Sequence, residues 1–384
     1  MLSIEDPKLP GLTELTDERL CEITGADSVV LLRLRYRAGK RAIVHLKTYA
    51  GAEQSEGVLW FFAGDKARSL AKRNKSARFD PHTRALYERF PNDHRMPQIR
   101  RFLDGYADIA PRLIGGQPDG KPHLLRYRPG LSCTFRCALK GQADSYVKLI
   151  NDDHPEQLYA VNREMCRLLE QSSVSIAPAI GVDAALMAVA YKTAPGVALD
   201  MALRDTSDLE ALHQTIDALR YFWQLPLAPQ RQMTAPVLLQ RAIEGAAFVA
   251  LTAPACNASV DSIVARLTQH NPQLDLVPVH ADIKLEHIFL NKDHTTLIDT
   301  ESVSFGSPDY DLAQLYGRLW QAEMEEQLPR ALVKTATGIV RQSAGQSFDW
   351  CLDVVALRLA KFYAQRPDVD MVIKINGMLR RLQA

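Results

Sequence analysis

The stretch that decides the fold is residues 276–315, LVPVHADIKLEHIFLNKDHTTLIDTESVSFGSPDYDLAQL. Two short apolar runs in it, residues 288–290 and 296–298, flank the turn composition Asn-Lys-Asp-His, so the sequence predicts a β-hairpin. Asp282 lies in the polar loop just before this hairpin, and Asp299 follows directly after it. Because a hairpin fixes both of its ends in space, we expect the two carboxylates to face one site.

Two carboxylates that face one site suit phosphoryl transfer. One of them orients the attacking hydroxyl and accepts its proton, and the other holds Mg²⁺ on the phosphates. The sequence therefore predicts Asp282 as the orienting group or base and Asp299 as a metal ligand.

The polar loop and its surroundings carry a family resemblance. Residues 280–287, HADIKLEH, resemble the catalytic loop of protein-kinase-like enzymes, H-x-D-x-x-x-x-N, with Lys284 where protein kinases also carry a lysine. Residues 298–301 and 306–313, IDTE and GSPDYDLA, resemble the metal-binding segment and the G-D-P-x-x-D-L-A tail of aminoglycoside phosphotransferase-like small-molecule kinases. The resemblance covers about residues 121–320. It implies a two-lobed α+β protein-kinase-like fold that moves the γ-phosphoryl of ATP, with Mg²⁺, to a hydroxyl of a sugar, aminoglycoside or amino alcohol.

The resemblance also assigns roles to further loop residues. Lys284 would neutralise the transferring phosphoryl group, and His280 and Asp311 would brace the loop. The family's asparagine is His287 here, and two explanations stay open: His287 holds a second metal ion, or it hydrogen-bonds within the loop. Mn²⁺ suits an imidazole ligand better than Mg²⁺ does. A ligating His287 would make activity fall as the pH drops through its pKa, ~6.5 when unperturbed.

The second pair of predicted site residues lies upstream. Residues 145–150, SYVKLI, alternate as a strand does and make Lys148 a candidate phosphate ligand. In the helix predicted next, Val161, Glu164 and Leu168 follow i, i+3, i+7 spacing, which places a carboxylate on an apolar stripe. A charge there needs a partner, and the resemblance implies the strand-lysine to helix-glutamate ion pair of kinases. A surface lysine and a boundary glutamate are the alternative.

Two further segments would contact the nucleotide. Residues 128–132, RPGLS, form a predicted tight turn that would cover the phosphates, with Gly130 and Ser132 as contacts. An apolar extended run then ends near Ala190 and Thr193. Here the resemblance implies a hinge whose backbone N–H and C=O groups meet the adenine edge.

A short phrase occurs twice in the chain. Residues 36–39, YRAG, match residues 127–130, YRPG, at an offset of 91. We interpret the match as a degenerate duplication of a small antiparallel sheet, with chance similarity as the alternative. The predicted organisation is an N-terminal α+β segment over residues 1–120, a nucleotide-binding small lobe over 121–193, and a helical catalytic and substrate lobe over 194–384.

Composition limits the other functions. With 47% hydrophobic and 24% charged residues, the chain resembles an ordinary globular protein, and its net charge of +1 gives no field for nucleic acid or membrane binding. Residues 66–101 are rich in Lys and Arg but sparse in aromatics, so we expect a solvated helical face there. The six cysteines contain no CxxC pair, which is typical of thiols in a reducing compartment. No apolar run approaches the ~20 residues that span a bilayer. We therefore expect a cytoplasmic protein. The sequence predicts no particular oligomeric state.

Two other functions are possible on this fold. A catalytically silent nucleotide-binding or scaffold protein on the same fold is supported by His287, but Lys148, Glu164, Asp282 and Asp299 together argue against it. A protein kinase is disfavoured, because the metal-binding segment is Asp-Thr-Glu and not Asp-Phe-Gly.

Overall fold

The computed structural model describes residues 4–152, 154–207, 209–270, 272–368 and 370–381. The chain forms two compact units. Unit 1 spans Met1–Tyr159, Ile180–Tyr191 and Ala364–Met371, and unit 2 spans Ala160–Ala179, Lys192–Tyr363 and Val372–Ala384. The predicted N-terminal segment and most of the predicted small lobe thus lie within one unit, and the chain leaves that unit after residue 191, close to the predicted lobe boundary.

Unit 1 contains most of the β-structure. Its elements up to residue 150 are, in chain order, α1 (Asp17–Thr24), β1 (Ser28–Arg37), β2 (Arg41–Ala50), β3 (Glu53–Phe62), α2 (Lys66–Arg73), β4 (Ala77–Phe79), β5 (Leu86–Arg89), α3 (Gln98–Asp104), α4 (Tyr106–Ile114), β6 (His123–Arg128), β7 (Ser132–Cys137) and β8 (Ser145–Ile150). They are followed by α5 (Pro155–Leu168), β9 (Val174–Ile176), β10 (Ala179–Asp183) and β11 (Ala188–Lys192), of which β9 and the larger part of α5 belong to unit 2.

The strands of unit 1 form two five-stranded sheets. Their orders are β1-β2-β3-β5-β4 and β10-β11-β8-β7-β6, so β1 and β6 are edge strands. The first sheet packs α2 over Ile43, Val58 and Trp60, and the second packs α3 and α4 over a larger apolar core that includes Phe102 and Phe135. Burial of these apolar faces is the main force that holds both sheets.

The hairpins β1–β2 and β6–β7 close on turns of the same form. The closing pairs are Arg37 with Arg41 and Arg128 with Ser132. Each residue of the first pair lies 91 positions before its counterpart in the second pair, the same offset as in the sequence match. The turn glycines also match, since Gly39 and Gly130 both adopt the left-handed conformation, with φ of +61° and +65°.

An aspartate from the preceding segment supports each of these turns. Asp6 Oδ2 accepts hydrogen bonds from the Tyr36 hydroxyl at 2.8 Å and from the Gly39 N–H at 2.7 Å. In the second hairpin, Asp93 Oδ2 accepts from the Tyr127 hydroxyl at 2.8 Å and from the Gly130 N–H at 2.6 Å. The pairs next to the turn, the glycine conformation and the carboxylate support are thus shared by the two hairpins, which supports the interpretation as a duplication.

The third strands of the two hairpins differ at one position. Trp60 on β3 pairs with Ile43, and Lys148 on β8 pairs with Thr134. Ile43 and Thr134 are again 91 residues apart, so Trp60 occupies the place that Lys148 has in the second sheet. Trp60 is fully buried. The first sheet therefore carries a core side chain where the second carries its candidate phosphate ligand.

Unit 2 is mainly helical. Its elements after residue 191 are β12 (Val197–Ala198), α6 (Leu199–Thr206), α7 (Glu210–Trp223), α8 (Ala235–Thr252), α9 (Asn257–Gln269), β13 (Val277–Val279), β14 (Ile288–Asn291), β15 (His294–Leu297), β16 (Ser304–Gly306), α10 (Pro308–Met324), α11 (Arg330–Gln342), α12 (Phe348–Ala364) and α13 (Met371–Arg380). Two small sheets, β12-β14-β15-β9 and β13-β16, lie among these helices.

Among the described helices, α8 is the one whose length and hydropathy would allow it to cross a membrane. It carries Arg241 and Glu244, and it buries Leu238, Ala242 and Val249 within unit 2. A core helix has these same properties.

Candidate active site

The polar loop of unit 2 is positioned by a short sheet. β13 ends at Val279 and pairs with β16, which leads directly into α10. A Cβ atom on Gly306 would lie 2.8 Å from Val279 Cγ2 and 3.2 Å from Met233 Cβ, so the close pairing requires glycine there. The start of α10, with Ser307 as its N-cap, is thereby held beside the loop.

A buried carboxylate on α10 holds the start of the loop. Asp311 accepts hydrogen bonds from the backbone N–H groups of His280 and Ala281, both at 2.8 Å, and from Trp223 Nε1 at 3.1 Å. Ala281 has φ of +62°, a strained conformation for a residue with a side chain. His280 is fully buried, with Nε2 2.9 Å from the Ile298 carbonyl oxygen. His280 and Asp311 therefore brace the loop.

The predicted hairpin is present. β14 and β15 pair from Ile288 with Leu297 to Asn291 with His294, and the two residues between them form the turn. Asp299 follows β15 in the left-handed conformation, with φ of +60°. An aspartate tolerates this conformation better than most residues do.

The two carboxylates face the same site, as the hairpin predicts. One possible ligand atom from each of Asp282, His287 and Asp299 lies within 4.8 Å of the others. Lys284 Nζ lies 3.1 Å from Asp282 Oδ2 and 3.1 Å from His287 Nε2, and His287 Nε2 lies 3.6 Å from Asp299 Oδ2. Two carboxylates, an imidazole and an ammonium group thus lie within a few ångströms of one another.

Arg358 is a member of this site that the sequence analysis missed. It projects from α12 and donates through Nη2 to Asp282 Oδ1 and through Nη1 to Gln314 Oε1 at 2.9 Å and the Tyr310 hydroxyl at 3.2 Å. The residues on either side of it, Leu357 and Leu359, are buried. A charged residue inside such an apolar run needs a partner, and this was the available signal.

These cations decide the charge of Asp282. Burial raises the pKa of its carboxyl, but the positive charges of Arg358 and Lys284 outweigh burial and hold the pKa well below its usual range. Asp282 is therefore a carboxylate at every pH at which the protein would be assayed.

His287 is held as a neutral imidazole. Its Nδ1 lies 3.2 Å from the Asp282 carbonyl oxygen, which can only accept a hydrogen bond, so Nδ1 carries the proton and Nε2 accepts from Lys284. Burial and then the charge of Lys284 lower the pKa of His287 to about 3. The acid limb near pH 6.5 that was expected from an ordinary histidine therefore does not follow, because His287 stays neutral throughout that range.

The lowered pKa of His287 makes stability depend on pH. Between about 6.5 and about 3 the unfolded chain binds a proton that the folded chain does not, so the free energy of unfolding falls as the pH falls. From pH 7 to pH 5 this residue should account for a loss of about 2 kcal/mol. The free energy of unfolding is measured with urea at both pH values. Its drop from pH 7 to pH 5 should be about 2 kcal/mol smaller in His287→Asn than in the unchanged protein.

The control for this experiment is His213→Asn, which removes an exposed histidine on α7. Its loss of stability should equal that of the unchanged protein. Equal losses in His287→Asn and in the unchanged protein would contradict the lowered pKa.

The donor set fits a hard divalent ion in part. Asp282 and Asp299 offer the carboxylate oxygens that Mg²⁺ prefers. The unprotonated nitrogen of His287 faces the Lys284 ammonium at 3.1 Å, so it could bind a metal only if that lysine moved. The hydrogen bonds of His287 favour the role within the loop, and its metal role stays a prediction.

Glu164 does not lie where the sequence predicted it. The buried face of α5 carries Asn162 and Met165, whereas Val161 and Glu164 are exposed. Arg167 donates to both carboxylate oxygens of Glu164, at 2.7 and 2.9 Å. The predicted apolar stripe was therefore one residue out of place. The ion pair with Lys148 was inferred from a buried Glu164, and that premise is wrong.

The polar residue on the buried face of α5 is Asn162. Its side chain donates to the Ala177 carbonyl at 3.0 Å and accepts from the Ala179 N–H at 2.7 Å. These bonds satisfy the buried amide, so α5 carries a structural bridge and no buried carboxylate among its described residues.

The other predicted nucleotide contacts lie in unit 1. Gly130 is in the predicted turn, but its N–H donates to Asp93 and so is not available to a phosphate. Ser132 and Lys148 lie on neighbouring strands and stay candidates. Ala190 is buried in the core of the second sheet, and Thr193 follows β11; the contact of this segment with the adenine edge stays a prediction.

Comparison with known proteins identifies the family. Residues 72–342, more than half of the chain, match the model of APH, the phosphotransferase enzyme family. No curated protein sequence matches the chain.

Solved structures of small-molecule kinases share the fold. The amicoumacin kinase hAmiN, in complex with AMP-PNP, Ca²⁺ and Ami, matches with a TM-score of 0.53 at 12% identity over 76% of this chain and 96% of that one. The apo form of a thermostable mutant of aminoglycoside phosphotransferase APH(4)-Ia matches with a TM-score of 0.53 at 16% identity over 72% and 97%. A ternary complex of that enzyme with AMP-PNP and hygromycin B gives 0.51, at 15% identity over 72% and 97%. The α+β kinase-like fold predicted from the sequence is therefore confirmed.

Proposed function

Because the chain belongs to the phosphotransferase enzyme family, we propose that it transfers the γ-phosphoryl group of ATP to a hydroxyl of a small molecule. The observation that carries the proposal is that Asp282 and Lys284, in the braced loop, lie together with Asp299, which follows the hairpin. Asp299 would hold Mg²⁺ on the phosphates, and Lys148 would contact them. We also propose that this activity is cytoplasmic, because cysteines without a CxxC pair are typical of thiols in a reducing compartment.

The chemistry follows from the state of Asp282. The acceptor hydroxyl oxygen bonds to the γ-phosphorus while the bond from that phosphorus to the β,γ-bridging oxygen breaks, leaving ADP. With its low pKa, Asp282 is a weak base, so its main task is to orient the hydroxyl, and it takes the proton late, when the oxygen is already bonded to phosphorus. Lys284 neutralises charge on the transferring group, and bound Mg²⁺ would offset charge on the phosphates.

The cations around Asp282 restrict the acceptor. Arg358 binds its carboxylate directly, and Lys284 Nζ lies 3.1 Å from its Oδ2. A polycationic acceptor such as an aminoglycoside would be repelled by them. Of the three predicted acceptor classes, neutral sugars suit this site best.

The test is a screen for ADP release from ATP and Mg²⁺ with acceptors grouped by charge. Neutral sugars should stimulate ADP release, and aminoglycosides should not. Arg358→Gln should allow weak release with aminoglycosides if Arg358 excludes them. Release with aminoglycosides alone would contradict the assigned acceptor class.

The second candidate is a catalytically silent nucleotide-binding protein. The observations that favour it are that His287 replaces the family's asparagine and that Glu164 binds Arg167. This candidate predicts that ATP binds but that no acceptor in the screen stimulates ADP release.

A further inference from the structure

Unit 1 contains a pocket lined by positive charge. Its volume is about 270 Å³, and its lining includes five arginines from three segments of the unit, Arg33, Arg35, Arg126, Arg128 and Arg366. We call it the arginine pocket. It is smaller than the ~300–1,000 Å³ usual for pockets that hold drug-sized ligands, so a small ligand fits it better. Its lining includes Arg128 and Pro129 of the turn that was predicted to cover the phosphates, but not Lys148, Gly130 or Ser132, the predicted nucleotide contacts.

Two edge strands build this pocket. Arg33 and Arg35 come from β1, and Arg126 and Arg128 come from β6. The two hairpins are built alike, and Arg35 and Arg126 each directly precede the tyrosine of their turn. Similar arginine-bearing strands on both sides therefore bring like charges to one place.

Two of these arginines, both half-buried, bind neutral groups. Arg33 donates through Nε and Nη2 to Gln365 Oε1, at 3.1 and 2.6 Å, and Arg35 donates to the Pro129 carbonyl oxygen. Among the described residues that line the pocket, Glu56 is the one carboxylate, and its Oε2 lies 2.6 Å from His45 Nε2. The lining thus carries five guanidinium charges against one carboxylate charge.

Burial and the neighbouring positive charges act on the pKa values of two of these arginines. Burial, and then the charges of Arg366, Arg128 and the other arginines, lower the pKa of Arg33 to about 9. Burial and Arg128 lower the pKa of Arg35 to about 10. A polyanion placed among these groups would relieve the repulsion and accept their charge-assisted hydrogen bonds.

We propose that the arginine pocket binds a small ligand through its diphosphate group. Guanidinium forks match phosphate oxygens in pairs. A diphosphate offers two such groups and enough negative charge to offset several arginines, whereas a single phosphate or a carboxylate offers less. This binding is separate from the proposed transfer reaction and does not depend on it.

The experiment is calorimetric titration of the full chain with inorganic pyrophosphate in EDTA, so that no divalent metal takes part. One pyrophosphate should bind per chain, and inorganic phosphate and citrate should each bind at least about tenfold more weakly, a difference of about 1.4 kcal/mol. Arg33→Gln and Arg126→Gln should each weaken pyrophosphate binding by about tenfold. No binding at millimolar pyrophosphate, or equal binding of citrate or phosphate, would overturn the proposal.

Two control variants separate this pocket from other sites. Arg136→Gln removes an exposed arginine of β7 that pairs with Asp144, so it changes the net charge equally and should bind pyrophosphate as the unchanged protein does. Lys148→Met should also bind it unchanged. Loss of pyrophosphate binding in Lys148→Met together with normal binding in Arg33→Gln would place the anion at the nucleotide site and reject the arginine pocket.

Folding of the variants is checked by thermal unfolding. Arg33→Gln removes a charge from a repulsive cluster and keeps a group able to bond Gln365, so its melting temperature should not fall. Arg126 is exposed, so Arg126→Gln tests the same pocket even if the Arg33 variant fails to fold.

Discussion

Asp282→Asn is expected to lower kcat by about 10³-fold while leaving the affinity for ATP unchanged. The amide keeps the shape of the side chain, but its uncharged oxygen orients the acceptor hydroxyl less strongly and cannot take the proton late in the transfer. ATP affinity should persist, because an orienting group acts on the acceptor and not on the nucleotide. Turnover and calorimetric ATP titration, on the variant and the unchanged protein, measure the two effects separately.

The matched control for this variant is Asp293→Asn, in the exposed turn of the hairpin that follows the loop. It removes the same charge without touching the site, so its kcat should be normal. Normal kcat in Asp282→Asn itself would rule out the role given to this carboxylate.

Asp299→Asn is expected to abolish the dependence of ATP binding on Mg²⁺ and to lower turnover by at least about 100-fold. Loss of a metal-ligating carboxylate removes several kcal/mol of charge stabilisation, and about 1.4 kcal/mol corresponds to a factor of ten. Asparagine is the better substitute here, because Asp299 has φ of +60° and asparagine tolerates that conformation whereas alanine is strained in it.

The comparison for this variant is Asp275→Asn, an exposed carboxylate that precedes β13. Adding Mg²⁺ should strengthen ATP binding to it as much as to the unchanged protein. If Mg²⁺ strengthens ATP binding to Asp299→Asn equally well, Asp299 is not the metal ligand.

The hairpin and its two carboxylates could be predicted from the sequence because local signals fix them. A turn composition between two apolar runs selects the hairpin, and the chain direction then places Asp282 and Asp299 at its two ends. No contact from a distant part of the chain is needed for that inference.

Glu164 could not be placed in the same way. Adjacent helix positions differ by 100°, and the pattern of apolar residues suits a stripe through Val161 nearly as well as one through Met165. The deciding fact is that Asn162 bonds the backbone at Ala177 and Ala179, which only the folded chain reveals. The hydrogen bonds of this one polar residue thus select a buried face that differs from the predicted face by one residue position.

Arg358 escaped prediction for a related reason. It lies 76 residues after Asp282, on a helix with no catalytic signature, and its role appears only when α12 packs beside the loop. A charged residue between apolar residues of α12 indicates that Arg358 has a partner. It does not indicate which residue that partner is.

The central claim is that the loop around Asp282 transfers a phosphoryl group, and ³¹P NMR tests it most directly. The chain is incubated with ATP, Mg²⁺ and a pool of neutral sugars, beside an identical sample of Asp282→Asn. The account predicts that the γ-phosphate signal of ATP disappears while signals of ADP and of a new phosphomonoester appear, and that the variant sample does not change over the same time. Spectra that are the same for the two proteins, whether both change or neither does, would contradict it.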